Sequence, residues 1–193
     1  MVFVYNKKIA DYWKELRKSN FSLNDYIEFP ALKKMFPKLL NKKVLDLGSG
    51  SGVTSLFLAR KGAKVFSVEA SKEMLALAPK HKNITYYNLR AENIKFKKNS
   101  FDLILSELVF DHIKDINLVL KKLYKILKKN GVLIISIPHP FKYAFNPEHI
   151  KKRKTLKFIG YLKEKKRTSI WKKGLTVNHY HRRVSTYLNA IIN

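Results

Sequence analysis

A run of β-branched and aliphatic residues that breaks abruptly into alternating glycines constrains this chain more than any other feature: Val44-Leu45-Asp46-Leu47-Gly48-Ser49-Gly50-Ser51-Gly52. Glycine reaches backbone angles closed to other residues and has no side chain to hold a ligand away, so such a loop lets the main chain touch a small molecule directly. The residues that follow, Val53-Thr54-Ser55-Leu56-Phe57-Leu58-Ala59-Arg60, carry apolar side chains at helical spacing. The spacing predicts a helix whose positive N-terminal end faces the loop.

Two nucleotide-type cofactors use a strand, loop and helix of this kind, and the glycine spacing separates them. The dinucleotide fingerprint is G-x-G-x-x-G/A, with the pyrophosphate on the helix N-terminus. Here the third glycine comes one step early, at Gly52, and Val53 fills the last fingerprint position. That disfavours NAD and with it a dinucleotide-dependent oxidoreductase. The pattern VLDLGSGSG, with Asp46 two residues before the first glycine, resembles motif I of the class I S-adenosylmethionine-dependent methyltransferases. A second acid belongs about 20 residues on, at the end of the next strand, where it holds a ribose. Ala63-Lys64-Val65-Phe66-Ser67-Val68 is a strand candidate, and Glu69 closes it. A carboxylate there accepts hydrogen bonds from both ribose hydroxyls.

The resemblance extends past motif I over most of the chain. Leu89-Arg90-Ala91-Glu92-Asn93-Ile94-Lys95-Phe96 followed by Ser100-Phe101-Asp102 is similar to the segment where such enzymes hold adenine. Ser106-Glu107-Leu108-Val109-Phe110-Asp111-His112-Ile113 is similar to motif IV and its trailing loop. The likeness implies S-adenosyl-L-methionine as cofactor, bound by Asp46, Gly48, Ser49, Gly50, Glu69, Ala70, Ala91, Glu92 and Ser106. Tyr5 and Tyr12 resemble N-terminal lid tyrosines that close over it. Arg90 stands where many relatives carry an acid that bonds the adenine amine, so Glu92 or the Ala91 backbone takes that place. Relatives also continue past the terminal helix into an antiparallel strand pair, whereas this chain ends at Asn193. The expectation is that these two strands are missing, leaving a sheet edge open to self-association.

Regular alternation along the chain predicts an α/β, doubly wound, Rossmann-like and mostly parallel sheet with helices on both faces. Further strands are predicted at Ile84 to Tyr87, Phe101 to Leu105 and Val132 to Ile137, and a helix from Ile116 to Lys129 that stops at Asn130-Gly131. One domain is expected over residues 1–193: an N-terminal helical cap (1–40), a cofactor-binding core (41–138), and a basic lid with a terminal helix (139–193).

The charge is unusual, 40 lysines and arginines against 14 acids, or +26. A field of that sign attracts polyanions, RNA among them. Lysine-rich composition with abundant Asn, Ile, Tyr and Phe is equally the mark of an AT-rich genome. Between Lys151 and Lys173, Phe158, Tyr161 and Trp171 sit among the basic residues, as in a solvated lid, a clamp for a small anion, or an RNA groove with stacking platforms. There is no cysteine, and no apolar run approaches a membrane span, so no membrane partner and a cytoplasmic location are expected.

Methyl transfer from a sulfonium is an in-line displacement that asks mainly for positioning and exclusion of water. A protonated acceptor needs a base, and histidine titrates in the useful range. The candidates are His139, directly after the fifth strand, and His112 with Asp111 beside it; His179 and His181 lie further on. Their scattered spacing gives no metal-ligand pattern, so no metal is expected. The reading is methyl transfer to an oxygen, nitrogen or carbon of a small-molecule acceptor. The alternatives are an RNA methyltransferase that uses the basic surface, and an inactive chain that binds cofactor or nucleic acid.

Overall fold

The computed structural model describes residues 4–18, 24–141, 160–170 and 174–192. Five strands, β1 (Lys43–Leu47), β2 (Lys64–Glu69), β3 (Ile84–Asn88), β4 (Phe101–Glu107) and β5 (Leu127–Ser136), form a parallel sheet in the order β3-β2-β1-β4-β5. The order reverses between β1 and β4, and ligands of such sheets bind in the crevice outside the carboxyl ends of the strands at that point. Both faces of the central strands are covered, so β1 and β4 are buried along almost their whole length rather than at alternate residues.

The helices are α1 (Lys7–Lys18), α2 (Phe29–Met35) behind a π-helical turn (Asn24–Glu28), α3 (Val53–Arg60), α4 (Lys72–Leu75), α5 (Ile116–Ile126) and α6 (Val184–Ile192). On one face of the sheet Leu45 and Ile104 pack with Val119 and Leu123 of α5 and Tyr187 of α6. On the other, Val44, Leu103 and Leu105 pack with Leu58 of α3 and Leu32 of α2. Ser71 and Asp115 start α4 and α5 by accepting the Met74 and Leu118 N–H at 3.1 and 2.9 Å.

The helix predicted to Lys129 ends at Ile126, and Asn130-Gly131 lies inside β5. Backbone N–H groups of Asn99 and Ser100 take the carbonyls of Lys125 and Ile126 at 3.1 and 2.7 Å, and Leu127 pairs with Phe101. These bonds draw the chain into the sheet before its helical periodicity runs out, and the register irregularity between Phe101 and Leu103 absorbs the extra residues.

The expectation that an antiparallel strand pair is missing is overturned. β6 (Lys165–Ile170) and β7 (Thr176–His181) pair antiparallel in a sheet of their own, from Lys165 opposite His181 to Ile170 opposite Thr176. They precede α6 and lie in and just beyond the segment expected to be a basic lid. Val177, His179 and His181 point inward from β7, a period-2 pattern disguised because two of its three buried members are histidines. Tyr161, expected as a stacking platform, packs its ring against Phe141 and His181 at 4.9 and 6.0 Å; Phe158 and Trp171 lie outside the described residues. Among the described residues no helix is long and apolar enough to cross a membrane.

Candidate active site

A cavity of about 300 Å³ opens at the carboxyl ends of β1, β2 and β4, where the strand order reverses. Its floor is the glycine loop. Gly48 has a φ of 77°, and a Cβ there would stand 2.1 Å from Val109 Cγ2, so only glycine lets the loop pass beneath the segment after β4. The Gly48 and Ser49 N–H groups both donate to the Val68 carbonyl, at 2.7 and 3.1 Å, which ties the loop to β2.

Glu69 is the second anchor. Its carboxylate accepts the Gly50 N–H at 3.0 Å and the Ser71 N–H at 2.8 Å, so it braces the loop while lining the cavity. Burial pushes its pKa up, and these backbone bonds pull against that shift. Each carboxylate oxygen keeps capacity for a further hydrogen bond, as a ribose hydroxyl requires. Ser51 Oγ, buried on the cavity wall, has no hydrogen-bond partner among the described residues.

Of the residues predicted for cofactor binding, Tyr5, Gly48, Ser49, Gly50, Glu69, Ala70 and Ala91 line this cavity. Tyr12, Asp46, Glu92 and Ser106 do not. Trp13 takes the wall position beside Tyr12. Asp46 and Ser106 are buried within the sheet, and the Glu92 carbonyl accepts Lys122 Nζ on the outer side of its turn. Of the predicted catalytic residues, Asp111 and His112 line the cavity and His139 does not. His139 is exposed beyond the end of β5, and its Nδ1 accepts the Phe141 N–H at 3.3 Å.

His112 is held by a residue remote in sequence. Its Nδ1 lies 2.9 Å from the Asn178 carbonyl of β7; a carbonyl only accepts, so Nδ1 carries the proton. In the neutral ring Nε2 is then the acceptor, and Tyr5 Oη lies 3.4 Å from it, with the two rings edge to face. Asp111 Oδ1 is 3.9 Å from the same nitrogen. The supporting loop is stapled down: the Tyr180 N–H donates to the Asp111 carbonyl at 2.6 Å. Arg182, 9% exposed, donates to the carbonyls of Phe110, Ile113 and Lys114 at 3.2, 2.6 and 2.7 Å.

Sequence reasoning missed the wall that β7 contributes. Val177 and His179 line the cavity, and burial, with the nearby His112 second, pushes the His179 pKa down to about 4. His179 is therefore neutral at neutral pH and a weaker base than an ordinary imidazole. Glu107, with Oε2 accepting from Thr54 Oγ1 at 3.2 Å, is a further wall residue; its place at the end of β4 could have pointed to it. The described lining residues include Glu69, Glu107 and Asp111 and no lysine or arginine, so the lysines and arginines among the described residues lie away from the cavity wall.

Comparison with known proteins agrees with this geometry. A family model described as a methyltransferase domain matches residues 45–135. A solved S-adenosylmethionine-dependent methyltransferase from Mesorhizobium loti is 30% identical, with a TM-score of 0.75 over 86% of this chain and 78% of that one. An uncharacterized Haemophilus influenzae protein is 30% identical over 100% of this chain and 82% of its own length. The ubiquinone biosynthesis O-methyltransferase of Pelagibacter ubique is 40% identical over 51% of this chain, and the match spans 42% of that enzyme. The chain belongs to the S-adenosylmethionine-dependent methyltransferases.

Proposed function

We propose that this enzyme transfers the methyl group to a hydroxyl oxygen of a small, phenol-like acceptor, with His112 as the general base. The observation that carries the reading is the His112 tautomer: Nδ1–H is committed to the Asn178 carbonyl at 2.9 Å, which leaves Nε2 as the proton acceptor beside Tyr5 Oη in the cavity. Likeness to ubiquinone biosynthesis O-methyltransferases over half of the chain supports oxygen as the methylated atom. Imidazole is the side chain most often placed to take a proton from an attacking hydroxyl.

When bound, S-adenosylmethionine supplies an electrophilic methyl on a sulfonium sulfur, and the chain's residues do the remainder. Glu69 would hold the ribose hydroxyls, Gly48 to Gly50 the amino-acid end, and Ala70 and Ala91 the adenine. Tyr5 and Trp13, on the N-terminal segment, cover the cavity and exclude water, which strengthens every polar contact inside. His112 takes the hydroxyl proton as the oxygen attacks, and Asp111 stabilises the imidazolium that results.

The test is methyl transfer from labelled S-adenosylmethionine to a panel of phenols and amines, with rates recorded against pH. Phenol methylation whose rise with pH disappears in His112→Ala supports the proposal. Preferential amine methylation, or an unchanged profile in the variant, overturns it.

A further inference from the structure

Beneath the glycine loop lies a chain of hydroxyl groups that the proposed chemistry does not use. Ser55 Oγ, on α3, is 2.5 Å from Asp46 Oδ2 on β1 and 3.1 Å from Ser67 Oγ on β2. Ser67 Oγ is in turn 2.6 Å from Ser49 Oγ, in the loop itself. Asp46, Ser55 and Ser67 are all buried, while Ser49 lines the cavity. Sheet register builds the chain, because Asp46 pairs directly with Ser67. We infer that Asp46 acts as a positioning residue, using Ser55 and Ser67 to set whether the Ser49 hydroxyl faces the cavity as an acceptor or as a donor.

Each hydroxyl has one proton to give, so an ionised Asp46 leaves a single consistent arrangement of the three links, and a protonated Asp46 that donates to Ser55 opens the fully reversed one. With Asp46 ionised, the carboxylate can only accept. Ser55 donates to Asp46, Ser67 to Ser55 and Ser49 to Ser67, and Ser49 turns its lone pairs to the cavity. With Asp46 protonated, the order reverses from the carboxyl outward, and the Ser49 proton points into the cavity. The links polarise one another, so the chain reverses as a unit rather than link by link.

Asp46 is placed to titrate near working pH. Burial raises its pKa to about 6, against the pull of the Ser55 bond, and the charge of Glu69 on β2 raises it further. Tyr86 on β3 also feels the Asp46 charge: burial pushes its pKa up, and that charge adds to the rise. The ionised arrangement suits the amino-acid end of the cofactor. The N–H groups of Gly48, Ser49 and Gly50 are already given to Val68 O and Glu69 Oε2, so an outward Ser49 lone pair adds an acceptor for the cofactor's ammonium group.

Two measurements on the intact chain test the relay. Calorimetric titration with S-adenosylhomocysteine from pH 5 to 7.5 is expected to show affinity rising by about 2- to 12-fold, the worth of one net hydrogen bond. Ser67→Ala, which cuts the chain, and Ser49→Ala, which removes its end, are both expected to lose that rise. An equal rise in Ser67→Ala and wild type overturns the relay, as does a flat wild-type profile. In the absence of ligand, carbon NMR of the Asp46 carboxyl is expected to give a higher titration midpoint in Ser67→Ala, because Ser55 then donates without Ser67 behind it. An identical midpoint in the two proteins overturns the coupling, whether or not S-adenosylhomocysteine binds.

Discussion

The two halves of the cavity are built by different means. The β1–α3–β2 half is local: strand, glycine loop, helix and acid follow one another within residues 43–69, and each contact there joins residues close in sequence or paired in register. The opposite wall joins the loop after β4 to a hairpin some 70 residues further on, through the His112, Tyr180 and Arg182 hydrogen bonds. In the proposed reaction, local geometry holds the cofactor side, and long-range stapling orients the side that takes the acceptor's proton. The two walls should therefore fail separately.

The sharpest break in this comparison is His112→Ala, expected to lower kcat by about 10²–10⁴-fold, the usual contribution of a general base. Isothermal titration should find S-adenosylhomocysteine affinity nearly unchanged; a parallel loss of affinity would mean that the walls are one unit. Arg182→Leu comes next. It leaves three loop carbonyls without their charged donor and is expected to cost about 2–4 kcal/mol in urea unfolding, from hydrogen bonds to a charged group. It should also lower methyl transfer more than cofactor binding, through His112.

On the other wall, Glu69→Ala is expected to weaken S-adenosylhomocysteine by about 1.5–3 kcal/mol, again the worth of hydrogen bonds to a charged group. Unchanged affinity in calorimetry would place the ribose elsewhere. The smallest expected effect concerns acid stability. His179 has a folded pKa of about 4, below its ordinary 6.5, so between these values the unfolded chain binds the extra proton and stability falls as pH falls. Asp46, with a folded pKa raised to about 6 from 3.8, works in the opposite sense across most of the same window. Comparing His179→Phe with wild type isolates the histidine: the stability difference should move in favour of the variant by about 1–2 kcal/mol from pH 6.5 to 4.5. A constant difference would refute the assigned shift.

The same division governs what could be read from the residues. Gly48, Gly50 and Glu69 were legible because a local rule, glycine spacing followed by an acid ending the next strand, carries physical meaning without knowledge of the rest. Asp46 was legible as part of the motif but not in its setting: that it faces Ser55 and Ser67 rather than the cavity depends on register. His139 looked well placed because it follows β5, yet the chain turns it outward while Pro138 stays on the wall. β7 escaped notice because it buries His179 and His181 where a strand usually buries aliphatic residues, and β6 because Lys165–Ile170 is lysine-rich and fully buries none of its residues.

The sequence by itself determined the parallel α/β sheet, the glycine loop and the acid that ends β2, since hydrophobic period and glycine spacing act over a few residues and need no distant partner. Tertiary structure alone decided the opposite wall. Which histidine enters the cavity, and which of its nitrogens holds the proton, follow from a carbonyl of Asn178 and a guanidinium at Arg182, brought beside residues 110–114 by chain folding. Hydrogen bonds between residues so far apart leave no periodic trace in the chain, and only the packed structure brings their partners together.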